Sequence, residues 1–226
     1  SNAGNADIEI SGGTITAAGG DLSAGIGGGT WGDANIKITG DAVIKNATGG
    51  AFGAGIGGGG GGNGDVTISG NAKIENAQGG ITGSGIGGGN GASGTVVIKD
   101  DSTVTATGGE AGAGIGGGYA GLGDVTIEGN TMVNATGGVG SAGVGGGYGA
   151  ENDEDGNGNQ ITIKSNESGA PNVTATGGVS DVDSDTGETI PGGAGIGSGA
   201  GKANANITLE GKVTIVAKAG EGNAAI

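Results

Sequence analysis

Isoleucine and valine recur along this chain in short alternating runs. Val66-Thr67-Ile68 has counterparts in Ile8/Ile10, Ile36/Ile38, Val125/Ile127, Ile161/Ile163 and Ile207/Leu209. Each is an apolar-polar-apolar pattern that predicts a short strand with one buried face. A second station holds Ile15, Ile44, Ile74, Val104, Val133, Val173 and Ile215, and TATGG or a variant follows it. A third holds Ile26, Ile56, Ile86, Ile115, Val144 and Ile196 inside AGIG or a close variant. Through Val144 the third station returns about every 30 residues, a period that marks a solenoid.

Turn residues separate the stations: Gly40-Asp41, Ser69-Gly70-Asn71, Gly129-Asn130 and the doublets Gly19-Gly20, Gly49-Gly50, Gly79-Gly80, Gly108-Gly109 and Gly137-Gly138. Three strands and three corners per repeat predict an all-β fold, a parallel β-helix of about seven coils whose rows of Ile and Val stack at ~4.8 Å per coil. Strand alternation within AGIG predicts that Ala54, Ile56 and Gly58 face one way while Gly55 and Gly57 face the other. One side of the rod would then be bare backbone.

With 65 glycines in 226 residues, composition alone points toward low complexity. The fixed register between glycines and branched aliphatics decides for folding, because disordered glycine-rich linkers keep no such register. A single domain over residues 4–226 is expected, with Ser1-Asn2-Ala3 reading as an expression scar. The step from Val144 to Ile196 is longer than the others, and the surplus falls near 151–159, 166–171 and 180–191, as corner loops. The chain stops on Ile226, where the third station of a further coil is due, so it reads as a fragment of a longer array.

Charge narrows the function. The net charge is −15, and the chain has no His, Cys or Arg. No basic stripe exists to neutralise phosphates, which argues against nucleic acid. No apolar run is long enough to span a membrane. Without His, Cys and Arg the usual general base, thiolate and guanidinium clamp are missing, so a non-enzymatic protein is expected. The adjacent pair Asp100-Asp101 sits in a predicted corner and reads as a turn former. Asp33, Asp65 and Asp124 precede the first strand of their repeats and are expected to stack as a row on one edge.

Two ligand readings remain. Asp153-Glu154-Asp155-Gly156-Asn157-Gly158-Asn159 opens like a calcium loop, with Asp153, Asp155, Asn157 and Asn159 as alternating oxygen ligands, but Lys164 stands where the bidentate Glu belongs. Asp181, Asp183 and Asp185 alternate in the same way in the later insertion. No cofactor is required, and calcium is the one candidate. The second reading is a polysaccharide or host surface glycan or protein, met by Trp31, Tyr119 and Tyr148, which follow GGG runs beside the predicted bare side. Outward Thr105, Thr107, Asn134, Thr136, Thr174 and Thr176 are expected to hydrogen-bond along the rod.

The repeats VTISGNAKIENAQGGITGSGIGGG and VTIEGNTMVNATGGVGSAGVGGG resemble the glycine-rich repeats of bacterial cell-surface, adhesin-like proteins, whose right-handed parallel β-helix is similar to that of the pectate-lyase superfamily. The resemblance implies a structural and adhesive module, on the bacterial surface or secreted. It brings no catalytic set, because the Arg, His and clustered Asp of that superfamily's lyases have no counterpart here.

Overall fold

In the computed structural model, which describes residues 4–182 and 186–226, each apolar station becomes one strand of a stacked parallel sheet. The first sheet runs Ala6–Ile10, Ala34–Ile38, Gly64–Ile68, Gly94–Ile98, Gly123–Glu128, Asn159–Lys164 and Ala205–Glu210. The second runs Thr14–Ala18, Val43–Thr48, Lys73–Gln78, Thr103–Thr107, Met132–Thr136, Asn172–Thr176 and Thr214–Lys218. The third has two-residue strands, from Ile26–Gly27 to Ile196–Gly197. Neighbours in every sheet are one coil apart, which is a parallel β-helix of seven rungs in two sheets and six in the third. The connections fit a right-handed coil, the hand that parallel crossovers take almost without exception.

Register is kept by the core. Ile36 pairs with Val66, Ile38 with Ile68, Ile44 with Ile74 and Ile56 with Ile86. These side chains are fully buried in one continuous cluster running from Ile26 to Ile196. Burying a branched aliphatic contributes ~1.5–3 kcal/mol, and each coil adds several while offering the next coil a matching surface.

The third sheet is made by backbone geometry as much as by its isoleucines. Gly27, Gly57, Gly87, Gly116, Gly145 and Gly197 all have positive φ, between 127° and 141°, a region that L side chains rarely enter. The reversal lets the N–H of Ala54 donate to the carbonyl of Gly58 at 3.0 Å, and the same bond closes the other coils. The isoleucine at the tip of this pinch points into the core.

The expected bare side does not exist in the central coils. Gly55 and Gly57 are buried because the positive φ at Gly57 ends the strand alternation. The flanking turns then fold over AGIG, with the N–H of Asn90 donating to Phe52 O and that of Tyr119 to Thr82 O, each at 2.8 Å. A Cβ on Gly55 would stand 2.6 Å from the Gly85 carbonyl oxygen and 2.7 Å from the Gln78 nitrogen. What approaches these glycines is the chain's own backbone.

The corner between the first two sheets is built from side chains. Gly40, Gly70 and Gly129 adopt positive φ there, and Asp100 takes the same conformation at 66°. Its Oδ2 accepts the Gly70 N–H at 3.0 Å. Asp41 and Asp101 accept from Asn71 and Asn130, each at 2.9 Å, so carboxylate and amide alternate along the axis. The expected stack of Asp33, Asp65 and Asp124 is likewise absent. Asp65 pairs with Asn35 on one side and Thr95 on the other, Asp124 with Thr95 and Gln160, and Asp33 lies ahead of its strand in a different row. Neutral rungs keep like charges apart, which a chain of −15 needs if its coils are to sit close together.

The three insertions leave the sheets intact. One holds a turn at 153–156, but Asn159 belongs to the strand rather than to the loop. A bridge between Asn166 and Gly169 closes the second. In the third, Asp181–Val182 pairs antiparallel with Thr189–Ile190.

Candidate functional site

The aromatic residues do not form one row. Trp31, Gly61, Gly91, Ala120 and Gly149 share a position, since the N–H of each donates to the carbonyl of the residue just ahead of that position in the next coil. Tyr119 and Tyr148 occupy that preceding position, together with Gly60 and Asn90. The two tyrosines meet, with ring centroids 6.0 Å apart and planes at 54°. Trp31 stands apart from them, 65% exposed and with φ 57°, a conformation that costs a bulky residue about 1 kcal/mol or more. Its ring lies over Gly61 and borders a shallow pocket of about 210 Å³ with Leu22 and Phe52. The offset is present in the spacing, since Trp31 follows its GGG run by two residues and Tyr119 and Tyr148 follow theirs by one.

Most large exposed apolar side chains are nonetheless on this side of the rod: Leu22, Trp31, Phe52, Ile81, Tyr119, Val179 and Val182. They sit on the turns that enclose AGIG or, for Val182, on the adjoining hairpin. Ile190 of that hairpin lines a small pocket with Tyr148 and Val139.

Beside these turns, between them and the second sheet, a shallow groove of about 570 Å³ follows the rod axis. Gln78, Thr107, Thr136 and Thr176 form one wall, the glycine doublets the floor, and Ile81, Glu110, Val139 and Val179 the other wall. The threonines pair in register from coil to coil. Against expectation, the hydroxyls of Thr107, Thr136 and Thr176 make no hydrogen bond to any described residue; among these sheet positions the axial bond is made by amides, from Asn76 Nδ2 to Asn46 Oδ1 at 2.6 Å. The lattice is regular only from Thr103 onward, because Glu75 and Asn76 form a bulge opposite Thr105. Lys45 and Lys73 flank Glu75 at 2.9 Å there, and their hydrogen bonds hold its carboxyl below the usual range.

The acidic loop is engaged with itself. Asp153 Oδ1 accepts the N–H groups of Asn157 at 2.8 Å and Asp155 at 3.0 Å, and Oδ2 accepts the Asn157 amide at 3.2 Å. These bonds, those from Asn157 foremost, lower the Asp153 pKa. Asn159 points elsewhere: it is buried, its Oδ1 accepts the Gly123 N–H at 2.8 Å, and its Nδ2 donates to Ser198 Oγ at 3.0 Å and to the Asn204 carbonyl at 3.2 Å. Asp181 begins the hairpin, and Asp183 and Asp185 lie outside the described residues. Among the described residues no three acidic side chains converge in a way that would hold a metal ion.

A family model described as a beta helix repeat matches residues 8–30, 96–119 and 125–148. The matched stretches begin in first-sheet strands and end past the glycine pinch, so each spans one coil of the three-sheet rod. The chain carries beta helix repeats. Neither the curated proteins nor the solved structures gave a match. Among the described residues no helix is long and apolar enough to cross a membrane.

Proposed function

We propose that this β-helix is a non-enzymatic structural and adhesive module of a bacterial surface protein, working outside the cell. The observation that carries the reading is the concentration on one side of the rod of most of its large exposed apolar side chains, Leu22, Trp31, Phe52, Ile81, Tyr119 and Val179, while Met132, Leu209 and Val216 stand singly on the sheets. Such a strip marks an interaction surface on a soluble protein. The continuous core supports a spacer role, since six coils are joined to one another by three sheets and the seventh by two. The absence of His, Cys and Arg from the sequence supports a role in contact rather than in turnover.

Attachment of protein-coated beads to host cells and to polysaccharide films tests the reading. Substituting Phe52→Ser and Ile81→Ser should lower attachment with the melting temperature unchanged. Equal attachment by the double variant would remove the adhesive half of the proposal. Turnover of a polysaccharide, lost on Asp100→Asn, would remove the non-enzymatic half.

A second reading, favoured by the Tyr119–Tyr148 pair and the exposed Trp31 ring, is a carbohydrate-binding module that stacks sugar rings on these aromatics. Glycan-array binding lost in both Trp31→Ala and Tyr119→Ala is its expected signature. Because Trp31 is separate from the tyrosines, loss in only one variant would assign the sugar to one end of the rod.

A further inference from the structure

The floor of the axial groove carries a row of backbone carbonyls that the fold leaves unpaired. The N–H of the first glycine in each doublet continues the second-sheet ladder: Gly79 donates to Thr107 O, Gly108 to Thr136 O and Gly137 to Thr176 O, each at 2.9 Å. The carbonyl of the second glycine is also used, accepting inside its own turn, as from Gly83 to Gly80. The carbonyl of the first glycine accepts from no backbone group of the described residues at Gly79, Gly108, Gly137 or Gly177. At two of these positions a side chain supplies the missing donor. Gln78 Nε2 reaches both Gly79 O and Gly108 O, at 3.2 Å each, and so bridges two coils. Gln78 stands in an outward row of the second sheet, so carbonyls that it reaches face the groove. The same row continues with Thr107, Thr136 and Thr176, which are too short to fold back, and Gly137 O and Gly177 O are left without a donor.

From this arrangement the geometry points to a binding site for an extended, uncharged, hydroxyl-rich polymer, a neutral linear glycan, lying along the groove between Gln78 and Val179. The N–H groups of Ile81, Glu110, Val139 and Val179 beside the unpaired carbonyls also bond no backbone group of the described residues, but both rows repeat once per coil at ~4.8 Å, out of step with the ~6.6 Å between like-facing groups of an extended peptide, which does not suit an added strand. Sugar hydroxyls donate. The free hydroxyls of Thr107, Thr136 and Thr176 give and accept on one wall, while Ile81, Val139 and Val179 on the other meet the apolar faces of sugar rings. Among the described residues Glu110 is the one charged residue lining the groove and no Lys lines it, so an acidic glycan would meet repulsion from a chain of −15. The inference deepens the adhesive reading by naming a partner and its place, and it assigns the sugar to the groove rather than to Trp31, Tyr119 and Tyr148, none of which lines it.

Calorimetry of the whole chain against soluble neutral glycans (a mixed-linkage glucan, a xyloglucan and a galactomannan) and against polygalacturonate tests the inference. Binding to at least one neutral polymer and none to the acidic one is expected. Thr136→Asp with Thr176→Asp brings carboxylates to the wall without touching the backbone and should weaken binding about tenfold or more, as leaving buried polar groups mismatched does. Gln78→Ala removes the internal donor and frees two carbonyls, so it should tighten binding about threefold. A cooperative melting transition shows that the variants fold, with the midpoint of the double variant lowered at low salt by its two adjacent carboxylates. No binding to any neutral polymer, equal binding to polygalacturonate, or indifference to the wall substitutions would overturn the site. Calorimetry on the purified chain is blind to cell attachment. Glycan binding without bead attachment therefore sinks the adhesive reading alone, and attachment unaffected by Thr136→Asp with Thr176→Asp separates the two in the other direction.

Discussion

The glycine pinch of the third sheet and the polar corner between the first two sheets turn the same chain through the same coil, by opposite means. At the pinch, AGIG returns almost unchanged because the second glycine needs φ near 130° and neighbouring backbone fills the place of any side chain. At the polar corner the residue type varies. Asp100 replaces a glycine at positive φ, and Asp41, Asn71, Asp101 and Asn130 alternate so that each amide meets a carboxylate one coil away. The most repeated motif in the sequence therefore reports backbone sterics. Chemistry is to be sought where the repeat is broken, as at Gln78 and Trp31.

The sharpest way to break this contrast is to place a methyl group at the pinch. Gly57→Ala should cost about 3 kcal/mol or more, from unfavourable φ and from collision with the Gly87 carbonyl, and should leave little folded protein by circular dichroism. Asp100→Gly at the polar corner should be close to neutral in the same measurement, since it loses one half-buried bond and gains a residue at ease with φ 66°. If both substitutions were equally damaging, the two corners would not differ as described.

Next in size is Asn159→Ala. It leaves the buried Gly123 N–H without its acceptor, removes one of two bonds from Ser198 Oγ and from the Asn204 carbonyl, and should cost about 1–3 kcal/mol in denaturant unfolding. A neutral result would mean that water replaces the amide. Smaller again is Asn71→Asp, which sets a third carboxylate beside Asp41 and Asp101. A lower melting temperature in dilute buffer that recovers at high salt is expected, and a salt-independent drop would point to packing instead.

The smallest effects belong to the exposed carboxylates. Asp153 and Glu75 have lowered pKa values in the folded chain, Asp153 through the N–H groups of its loop and Glu75 through Lys45 and Lys73. Their contribution is present above the ordinary carboxylate pKa and is lost as pH falls through the lowered one. Protection of the Asp155 and Asn157 amides, taken relative to the intrinsic exchange rate at each pH, should fall on acidification across that window, and protection that persists below it would contradict the hydrogen bonds. Because both Asp153 oxygens are already engaged, chelator and millimolar calcium are expected to give the same melting temperature. A rise with calcium would assign an ion to the acidic insertions, by mass action on the folded state.

Much of the fold was legible in the Ile and Val stations, whose spacing predicted the coil, the strand order and the buried rows around Ile56, Ile86 and Ile115. The candidate surfaces were legible only in part. Trp31 follows its GGG run by two residues and Tyr119 by one, and that single step puts them in different turn positions. Asn159 looks like a loop ligand by spacing from Asp153, yet it opens a strand and turns inward. In both cases a shift of one or two residues decides which neighbours a side chain meets.

By itself the sequence determined the period, the three apolar stations and the charge, because a core that must match coil upon coil repeats its demands in one dimension. Tertiary structure alone decided that the glycine segment is enclosed rather than bare, that carboxylates alternate with amides, and that the carbonyls of Gly79, Gly108, Gly137 and Gly177 are left without a backbone donor along a groove. Each of these depends on which backbone comes to lie beside which in the neighbouring coil, and glycine, having no side chain, writes no such information into the chain.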